Sequence, residues 1–125
     1  MTPINLKTET DVVKTEAANR YSRDEAIIVS GSGVLQIGAV LGRVTASGKY
    51  KPVTPAASDG SERAVAVLLQ RADATSADFG HAVILARHAE VVAQALVYPA
   101  GVNATQQAAA IEHLKAAGIV ARRAV

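Results

Sequence analysis

Alternating and continuous apolar runs predict short strands over most of the chain. The segment 38–45, GAVLGRVT, is rich in Val and Leu, as strands are. The segment 63–70, RAVAVLLQ, is apolar at both odd and even positions, which indicates a strand buried on both faces. Similar patterns predict one turn and a short strand over 21–29, one or two strands over 34–45 and a strand over 81–92, whereas 71–80 has the composition of a loop.

Residues 46–62, ASGKYKPVTPAASDGSE, concentrate turn-forming residues between predicted strands. Ala46-Ser47-Gly48 has the form of a three-residue hairpin loop, in which Gly48 takes the left-handed conformation. The returning strand, 49–53, contains Pro52, which lacks an N–H group, so this strand is expected at a sheet edge.

A second reversal is expected at Asp59 and Gly60, because an Asp-Gly pair is typical of tight turns. No side chain between the two predicted turns is suited to run a reaction. The turn chemistry of this segment therefore predicts a shaped surface.

The period changes near the C-terminus, where 103–118 predicts a helix. Asn103 is placed to cap it with Gln106 at the reciprocal position, and Gly118 is placed to end it. The expected inner stripe is Ala108, Ile111 and Leu114. A last strand or tail follows over 119–125. The fold class predicted from this order is mainly β with one C-terminal helix (α+β).

The first twenty residues have a strand period but little hydrophobic density. The members of one face are Ile4, Leu6, Thr8, Thr10 and Val12, which alternate with polar residues. The rest of the chain offers this strand no evident partner. We therefore expect residues 1–20 to form an N-terminal arm that is disordered in the free protein and adds a strand to another protein's sheet, with residues 21–125 as the domain.

Composition limits the function classes. The chain has 125 residues, of which 50% are hydrophobic and only 3% aromatic, so it forms one domain with small core side chains, and oligomerisation is expected to add burial. Cysteine is absent and the net charge is only +2, which gives no thiolate metal site and no basic surface for nucleic acid. No apolar run approaches the roughly 20 residues of a membrane span, and no signal peptide is evident. A soluble protein made inside a cell is expected.

The candidate metal residues are Asp78, His81, His88 and Glu90. His81 and His88 are seven positions apart, so on a regular strand their side chains face opposite sides. A bulge could bring them together, but a metal site is not expected. His113 is expected to be solvated on the outer face of the helix.

Other candidates for chemistry also fail on spacing. The glycine-rich segment 30–38, SGSGVLQIG, lacks the third glycine of a dinucleotide fingerprint and the Lys-Ser or Lys-Thr of a P-loop. No nucleophile elbow frames a serine. The paired carboxylates Asp24 and Glu25 fall on a predicted exposed turn, and Arg122 and Arg123 on a solvated end. No catalytic residue and no cofactor are therefore expected.

Three stretches of the chain resemble the lambda-type head decoration proteins of tailed bacteriophages. They are YSRDEAIIVSGSG, GAVLGRVTASGKYKPVTPAASDGSERAVAVLLQ and ALVYPAGVNATQQAAAIEHLKAAGIVAR, which together cover about Tyr21 to Arg123 in order. The most specific pieces are Val40-Leu41-Gly42 with Ala46 to Tyr50, the Asp59-Gly60 turn before Ala64 to Val67, and Leu96-Val97-Tyr98-Pro99 before the helix. Tyr98 departs from the family, which more often has Trp there.

The resemblance implies a non-enzymatic homotrimer with a compact β-clip-like fold and a flexible N-terminal arm. It implies binding to the phage major capsid protein on the outer surface of the expanded head, at threefold and quasi-threefold positions, where the arms become ordered. It also implies that such trimers stabilise the shell against packaged DNA. The alternating face from Ile4 to Val12 fits this role, and Gly48, Asp59, Gly60, Pro99 and Gly118 are the expected structural turns.

Two alternatives remain open on the sequence. One is another small β-rich structural subunit of a phage or secretion particle. The other is a hydrolase that uses Asp78, His81 and His88.

Overall fold

A computed structural model describes residues 11–18 and 21–123. Within these residues the chain forms ten strands and one α-helix, which confirms the predicted fold class. The strands are β1 Val13–Glu16, β2 Arg23–Ile28, β3 Gly33–Leu35, β4 Val40–Arg43, β5 Tyr50–Pro52, β6 Ala64–Leu68, β7 Ala72–Ala74, β8 Phe79–Leu85, β9 Ala89–Val92 and β10 Ile119–Arg122; helix α1 is Ala104–Ala116.

A closed barrel of five strands, in the order β2-β5-β4-β6-β8, is the body of the domain. Strand β6 pairs with β4 and with β8, both antiparallel. Four of its five residues are buried and Val65 is half-buried. The prediction of a strand buried on both faces is therefore confirmed, because β6 has the barrel interior on one side and further packed elements on the other.

The prediction that the strand containing Pro52 lies at a sheet edge is wrong for the strand as a whole. Strand β5 lies between β4 and β2 in the closed barrel. Its pairing with β2 is limited to Tyr50, which pairs with Ile28 and lies two residues before the proline. The missing N–H group of Pro52 is tolerated because that ladder ends before the proline.

A two-stranded sheet of β3 and β7 lies beside the barrel and corrects the prediction of a loop over 71–80. Ala72 and Ala74 are fully buried, and Asp73 between them is exposed. The segment thus has the alternation of a strand, but small alanines and flanking polar residues give it the composition of a loop.

The prediction of one strand over 81–92 is also wrong. The segment holds the end of β8, a turn at Ala86 to His88, and β9. His88 has φ of 49°, a left-handed conformation that ends the strand. After this turn β9 leaves the barrel and becomes the centre of a second sheet, β1-β9-β10, with β1 antiparallel and β10 parallel to it.

Two apolar cores follow from this arrangement. One lies under the β1-β9-β10 sheet and α1, and its largest fully buried members include Leu85, Leu114 and Ile119. The other fills the barrel towards β3 and β7, with Ile28, Leu41 and Leu68. Valine and alanine make up much of the first core, and alanine makes up much of the second.

Helix α1 has the predicted ends. The Asn103 side chain accepts from the N–H of Gln106 at 2.8 Å, and the Gln106 side chain accepts from the N–H of Asn103 at 3.0 Å, which is a complete capping box. Gly118 ends the helix with φ of 92°, and its N–H donates to the Lys115 carbonyl at 3.0 Å. Ile119 then joins the core cluster that contains Leu114, as in a Schellman ending.

The inner stripe of the helix differs from the prediction. Leu114 is buried and Ile111 is half-buried, but Ala108 is exposed and Ala110 is buried instead. The helix packs through residues four apart against β6 and β10. His113, expected to be solvated, is half-buried, and its Nδ1 atom is buried with no hydrogen-bond partner among the described residues.

Candidate functional site

The described part of the N-terminal arm is docked on the domain. Strand β1 pairs with β9 through Val13 with Val91, Thr15 with Glu90 and Glu16 with Ala89, with an irregularity after Val13. The Val92 N–H donates to the Val12 carbonyl at 2.7 Å. Because β1 is antiparallel to β9, Val12 lies at the Val92 end of the sheet.

The far end of β1 is held by an ion pair. Arg23 Nε lies 2.9 Å from Glu16 Oε2 and Arg23 Nη2 lies 2.6 Å from Glu16 Oε1, so the guanidinium binds the carboxylate through two of its nitrogens. The two side chains are only 14% and 23% exposed. A two-point contact of this kind fixes direction as well as distance, and it joins β1 to the first residue of β2.

Ser22 joins the β1–β2 connection to the turn between β8 and β9. It is fully buried; its hydroxyl accepts from the Ala17 N–H at 2.9 Å and donates to the His88 carbonyl at 2.9 Å. Burial of a hydroxyl is compatible with stability here because both of its hydrogen-bonding functions are used.

Arg87 and Tyr21 form the outer layer of the same contact. Arg87 Nη1 donates to the Tyr21 carbonyl at 2.6 Å, and its guanidinium carbon lies 5.4 Å from the centre of the Tyr21 ring. Arg87 also pairs with Asp24, whose hydrogen bond raises the pKa of the Arg87 guanidinium. The Tyr21 ring also meets the His88 ring edge to face, with the ring centres 5.2 Å apart. Asp24 and Glu25 lie in strand β2, so the prediction of a turn there is wrong; Asp24 is half-buried, and Glu25 is exposed as expected.

The predicted capsid-binding residues Ile4, Leu6, Thr8 and Thr10 lie outside the described residues. Val12, the last member of that face, is fully buried in the core under the β1-β9-β10 sheet. Residues 12–16 therefore pair with β9 of the same chain, a partner that the sequence did not reveal. The sequence of β9 gives no sign that this strand has an open edge. The turn at His88, which carries β9 out of the barrel, is more than seventy positions from β1 in sequence.

Two of the predicted turns shape the surface of segment 46–62. Gly48 has φ of 73°, the left-handed conformation predicted for it. Gly60 has φ of 106°, and a Cβ atom on it would lie 2.3 Å from Thr45 Oγ1. The Asp59 carboxylate accepts from the N–H and hydroxyl of Ser61, and these bonds hold its pKa below the usual value. The reversal at Asp59 and Gly60 is therefore fixed by local hydrogen bonds and by close packing.

The other two predicted turns lie at either end of α1. The Pro99 carbonyl accepts from the Val102 N–H at 3.3 Å, in a turn whose third residue, Gly101, has φ of 90°. Gly118 passes close to the β8–β9 turn, where an added Cβ would lie 3.1 Å from the backbone nitrogen of His88.

The residues of the hydrolase alternative have separate partners. Asp78 accepts from the Ser30 N–H at 2.8 Å and from Lys49 Nζ at 2.6 Å; the Lys49 bond is the main reason that the pKa of Asp78 is lowered. His81 has φ of 60° at a bulge in β8, its side chain is 88% exposed, and its Nδ1 lies 3.5 Å from a Glu25 oxygen. His88 packs on Tyr21.

The hydrolase alternative has no cluster of metal ligands among the described residues to support it. Residues 11–18 and 21–123 contain no group of three or more His, Asp or Glu placed to hold a metal ion. A cavity of about 240 Å³ between α1 and segment 53–62 is lined by Val53, Pro55, Glu62, Gln106, Ala109, Ala110 and His113. This lining contains no serine, cysteine or lysine, and its ionisable side chains are Glu62 and His113.

The described surface does expose large apolar side chains. Tyr21 is 54% exposed, Ile27 44% and Val34 48%. Ile27 lies opposite the β8 bulge, beside Gly80 and His81. No helix in the described ranges has both the length and the apolar character to cross a membrane.

Comparison with known proteins gives one match of nearly full length. A family model described as Bacteriophage lambda head decoration protein D matches residues 2–119. A search of the curated proteins found no significant match. The matched range contains both the N-terminal arm and all of the barrel.

Proposed function

This chain belongs to the bacteriophage lambda head decoration protein D family, and we propose that it binds the outer surface of the expanded phage head as a homotrimer. Membership of the family makes it a structural, β-rich component of the phage capsid. The finer proposal is that trimers occupy threefold and quasi-threefold positions, contact the major capsid protein, and act without catalysis. Synthesis in the host cytoplasm precedes this assembly.

The observation that carries the proposal is the match over residues 2–119, because it includes the arm as well as the folded body. The described geometry supports a surface function over a catalytic one. The polar side chains of the hydrolase alternative bind separate partners, and the lining of the cavity beside α1 contains no serine, cysteine or lysine.

The trimer is supported by apolar surface that the monomer leaves in water. Tyr21, Ile27 and Val34 are each about half exposed, and the core is built largely from Ala and Val. Burying such side chains between subunits adds roughly 25 cal/mol for each Å² removed from water.

The arm is proposed to add a strand to the capsid protein. Ile4, Leu6, Thr8 and Thr10 form its binding face, and Val12 and β1 anchor it to the barrel. One short strand binds weakly because ordering it costs conformational entropy. Three arms on one trimer bind together at high effective concentration, which raises the overall affinity without further contacts.

Shell stabilisation follows from binding linkage. A trimer that bridges neighbouring capsid subunits binds the intact shell and loses contacts when the shell ruptures. Its binding free energy therefore favours the intact state, by an amount that grows with trimer concentration above the dissociation constant. This opposes the outward force of packaged DNA.

The test is co-sedimentation of the purified protein with expanded heads and with unexpanded precursor heads at physiological salt. We expect saturable binding to expanded heads, in multiples of three copies at each site, and little binding to precursors. Equal binding to both forms would contradict the requirement for expansion, and absence of binding to expanded heads would overturn the proposed function.

A further inference from the structure

The start of the domain is fastened at one place to the turn between β8 and β9. We call the fastening residues Tyr21, Ser22, Arg87 and His88 the arm clamp. Ser22 bridges the Ala17 N–H and the His88 carbonyl, both at 2.9 Å, and Arg87 holds the Tyr21 carbonyl at 2.6 Å. The bonds from Ser22 to His88 and from Arg87 to Tyr21 each link the β1–β2 connection to a turn more than sixty positions away in sequence.

Strand β1 depends on its ends for its position. Its central residues Lys14 and Thr15 are exposed, and its ladder with β9 is interrupted after Val13. Val12 is buried at one end. At the other end lie the Glu16–Arg23 pair and the Ala17–Ser22 hydrogen bond. Such a short strand, with few buried side chains, is the part of a fold that opens locally when an end is released.

The turn that carries His88 has an uncommon backbone conformation at that residue. His88 has φ of 49° although it is not glycine, and Gly118 approaches its backbone nitrogen too closely for a larger residue to fit easily. Strained non-glycine conformations persist where the surroundings hold them, and they cluster at functional positions. Here the strained turn presents its carbonyl to the buried hydroxyl of Ser22.

We propose that the arm clamp is a positioning device for capsid binding. By holding β1 on β9, it fixes the position of Val12 beside Val92, at the end of β1 nearest the proposed binding face of Ile4 to Thr10. The proposal rests on the proposed function, and it names Ser22 and Arg87 as positioning residues that do not themselves touch the capsid. Ordering the base of the arm in the free protein removes part of the entropy cost that binding otherwise bears.

The first variant is Ser22→Ala, which removes the hydroxyl and leaves the Ala17 N–H and the His88 carbonyl without their partner. Ser32→Ala is the matched control, because the Ser32 hydroxyl also donates to a carbonyl, that of Val29 at 2.7 Å, outside the clamp. We expect faster hydrogen exchange at residues 13–17 and Val92 in Ser22→Ala, with barrel strands still protected. Binding to expanded heads should weaken by about tenfold or more, the order that follows from losing a buried hydrogen bond. The control should behave as the native protein does.

A second variant distinguishes positioning from general damage. Thr15 and Glu90 are directly opposed in the β1–β9 ladder, at a separation that a disulfide can span. The native chain has no cysteine, so Thr15→Cys with Glu90→Cys can form only one intramolecular bridge. Added to Ser22→Ala, the oxidised pair should restore head binding, and reduction should abolish it again. In the protein that retains Ser22, oxidation of the same pair should change head binding little.

Each outcome has one meaning. If the native protein does not bind expanded heads, the proposed function is wrong and this inference falls with it. If the native protein binds and Ser22→Ala binds equally well, the positioning role alone is wrong. If binding is lost but the oxidised bridge does not restore it, the clamp does not act through β1, which also overturns the inference.

Discussion

Gly42 in β4 lies directly against the backbone of Ser61 in the reversal that follows Asp59. A Cβ atom on Gly42 would lie 2.4 Å from the Ser61 carbonyl oxygen and 2.7 Å from its Cα. Ser61 is fully buried, and its carbonyl accepts from the Thr54 N–H at 2.9 Å. The long segment 46–62 is therefore folded back onto the barrel at a point where only glycine fits.

Replacing Gly42 by Ala should be strongly destabilising. The added methyl group meets the backbone of Ser61, which cannot rotate away, so we expect a loss of about 1–3 kcal/mol or more in the free energy of unfolding. Gly80→Ala is the control, since its Cβ would meet nothing within 4 Å and its φ lies outside the left-handed region. Urea denaturation measures both variants. Equal midpoints would show that the segment does not pack on β4 in this way.

The hairpin after β4 gives a second test. Gly48 has φ of 73°, so Gly48→Val should lower the free energy of unfolding by about 1–2 kcal/mol, because a β-branched residue is strained there. Ser47→Ala removes only an exposed hydrogen bond from the Lys49 N–H and should be nearly neutral. Thermal melting compares the two, and a hairpin that tolerates valine as well as it tolerates Ser47→Ala contradicts the left-handed turn.

Tyr98 predicts an effect of pH on stability. Its hydroxyl is buried with no hydrogen-bond partner among the described residues, and burial raises the pKa of Tyr98. The pKa of Tyr98 is thus higher in the folded protein than in the unfolded chain, where it is about 10. The free energy of unfolding should therefore be unaffected by this group below pH 10, and it should fall as the pH rises from about 10 through the pKa of the folded protein.

Tyr98→Phe should therefore be neutral or slightly stabilising at pH 7, since an unsatisfied polar group is removed. Above pH 10 it should lose less stability than the native protein. Tyr50→Phe, at a half-buried residue of β5 that belongs neither to the arm clamp nor to the surface proposed for the trimer, serves as the control. Guanidinium denaturation across this range makes the comparison, and parallel curves for the native protein and Tyr98→Phe would count against burial of the hydroxyl.

Two truncations test where the arm ends and the domain begins. Deletion of residues 2–10 retains β1 and should leave the free energy of unfolding almost unchanged. Deletion of residues 2–18 also removes Val12, which is fully buried, and should cost about 1.5–3 kcal/mol, as for loss of a buried valine side chain. Calorimetry gives the stabilities. If the longer deletion is as stable as the shorter one, β1 does not belong to the folded body.

The assigned face of the arm is tested by opposite substitutions at neighbouring positions. Leu6→Asp places a charge on the face of Ile4, Thr8 and Thr10, whereas Lys7→Asp changes the other face. If the apolar face packs on the capsid protein, Leu6→Asp should weaken decoration of expanded heads far more, because an unpaired buried charge is costly. Co-sedimentation at physiological salt measures both. Equal losses would refute the assignment.

The sequence predicted the elements whose signals are local. The capping box of Asn103 and Gln106, the left-handed glycine at 48 and the two-sided apolar strand β6 each depend on residues within a few positions of one another. These features follow from backbone sterics and from periodicity, so one sequence is enough to identify them.

The features that the sequence did not reveal depend on distant pairs. Val12 has a partner only because the turn at His88 carries β9 out of the barrel, and His88 adopts a left-handed conformation that is uncommon for residues other than glycine. Gly42 looks like any glycine in a strand until Ser61, nineteen positions later, is packed against it. The arm clamp joins positions that are more than sixty residues apart, and no spacing rule connects them.

The sheet around β9 has a mechanical consequence. The Val12 carbonyl and Arg122 both lie beside Val92, on opposite sides of β9, so the two ends of the described chain meet at one end of the sheet. The hydrogen bonds of an antiparallel ladder run across the strands, so a pull on the arm along β1 loads them in shear. Bonds loaded together break together, and we expect the arm to yield in one abrupt step when stretched between surfaces. Single-molecule force measurements on an arm-tethered protein would show this as one rupture, whereas gradual peeling would show that the load is carried bond by bond.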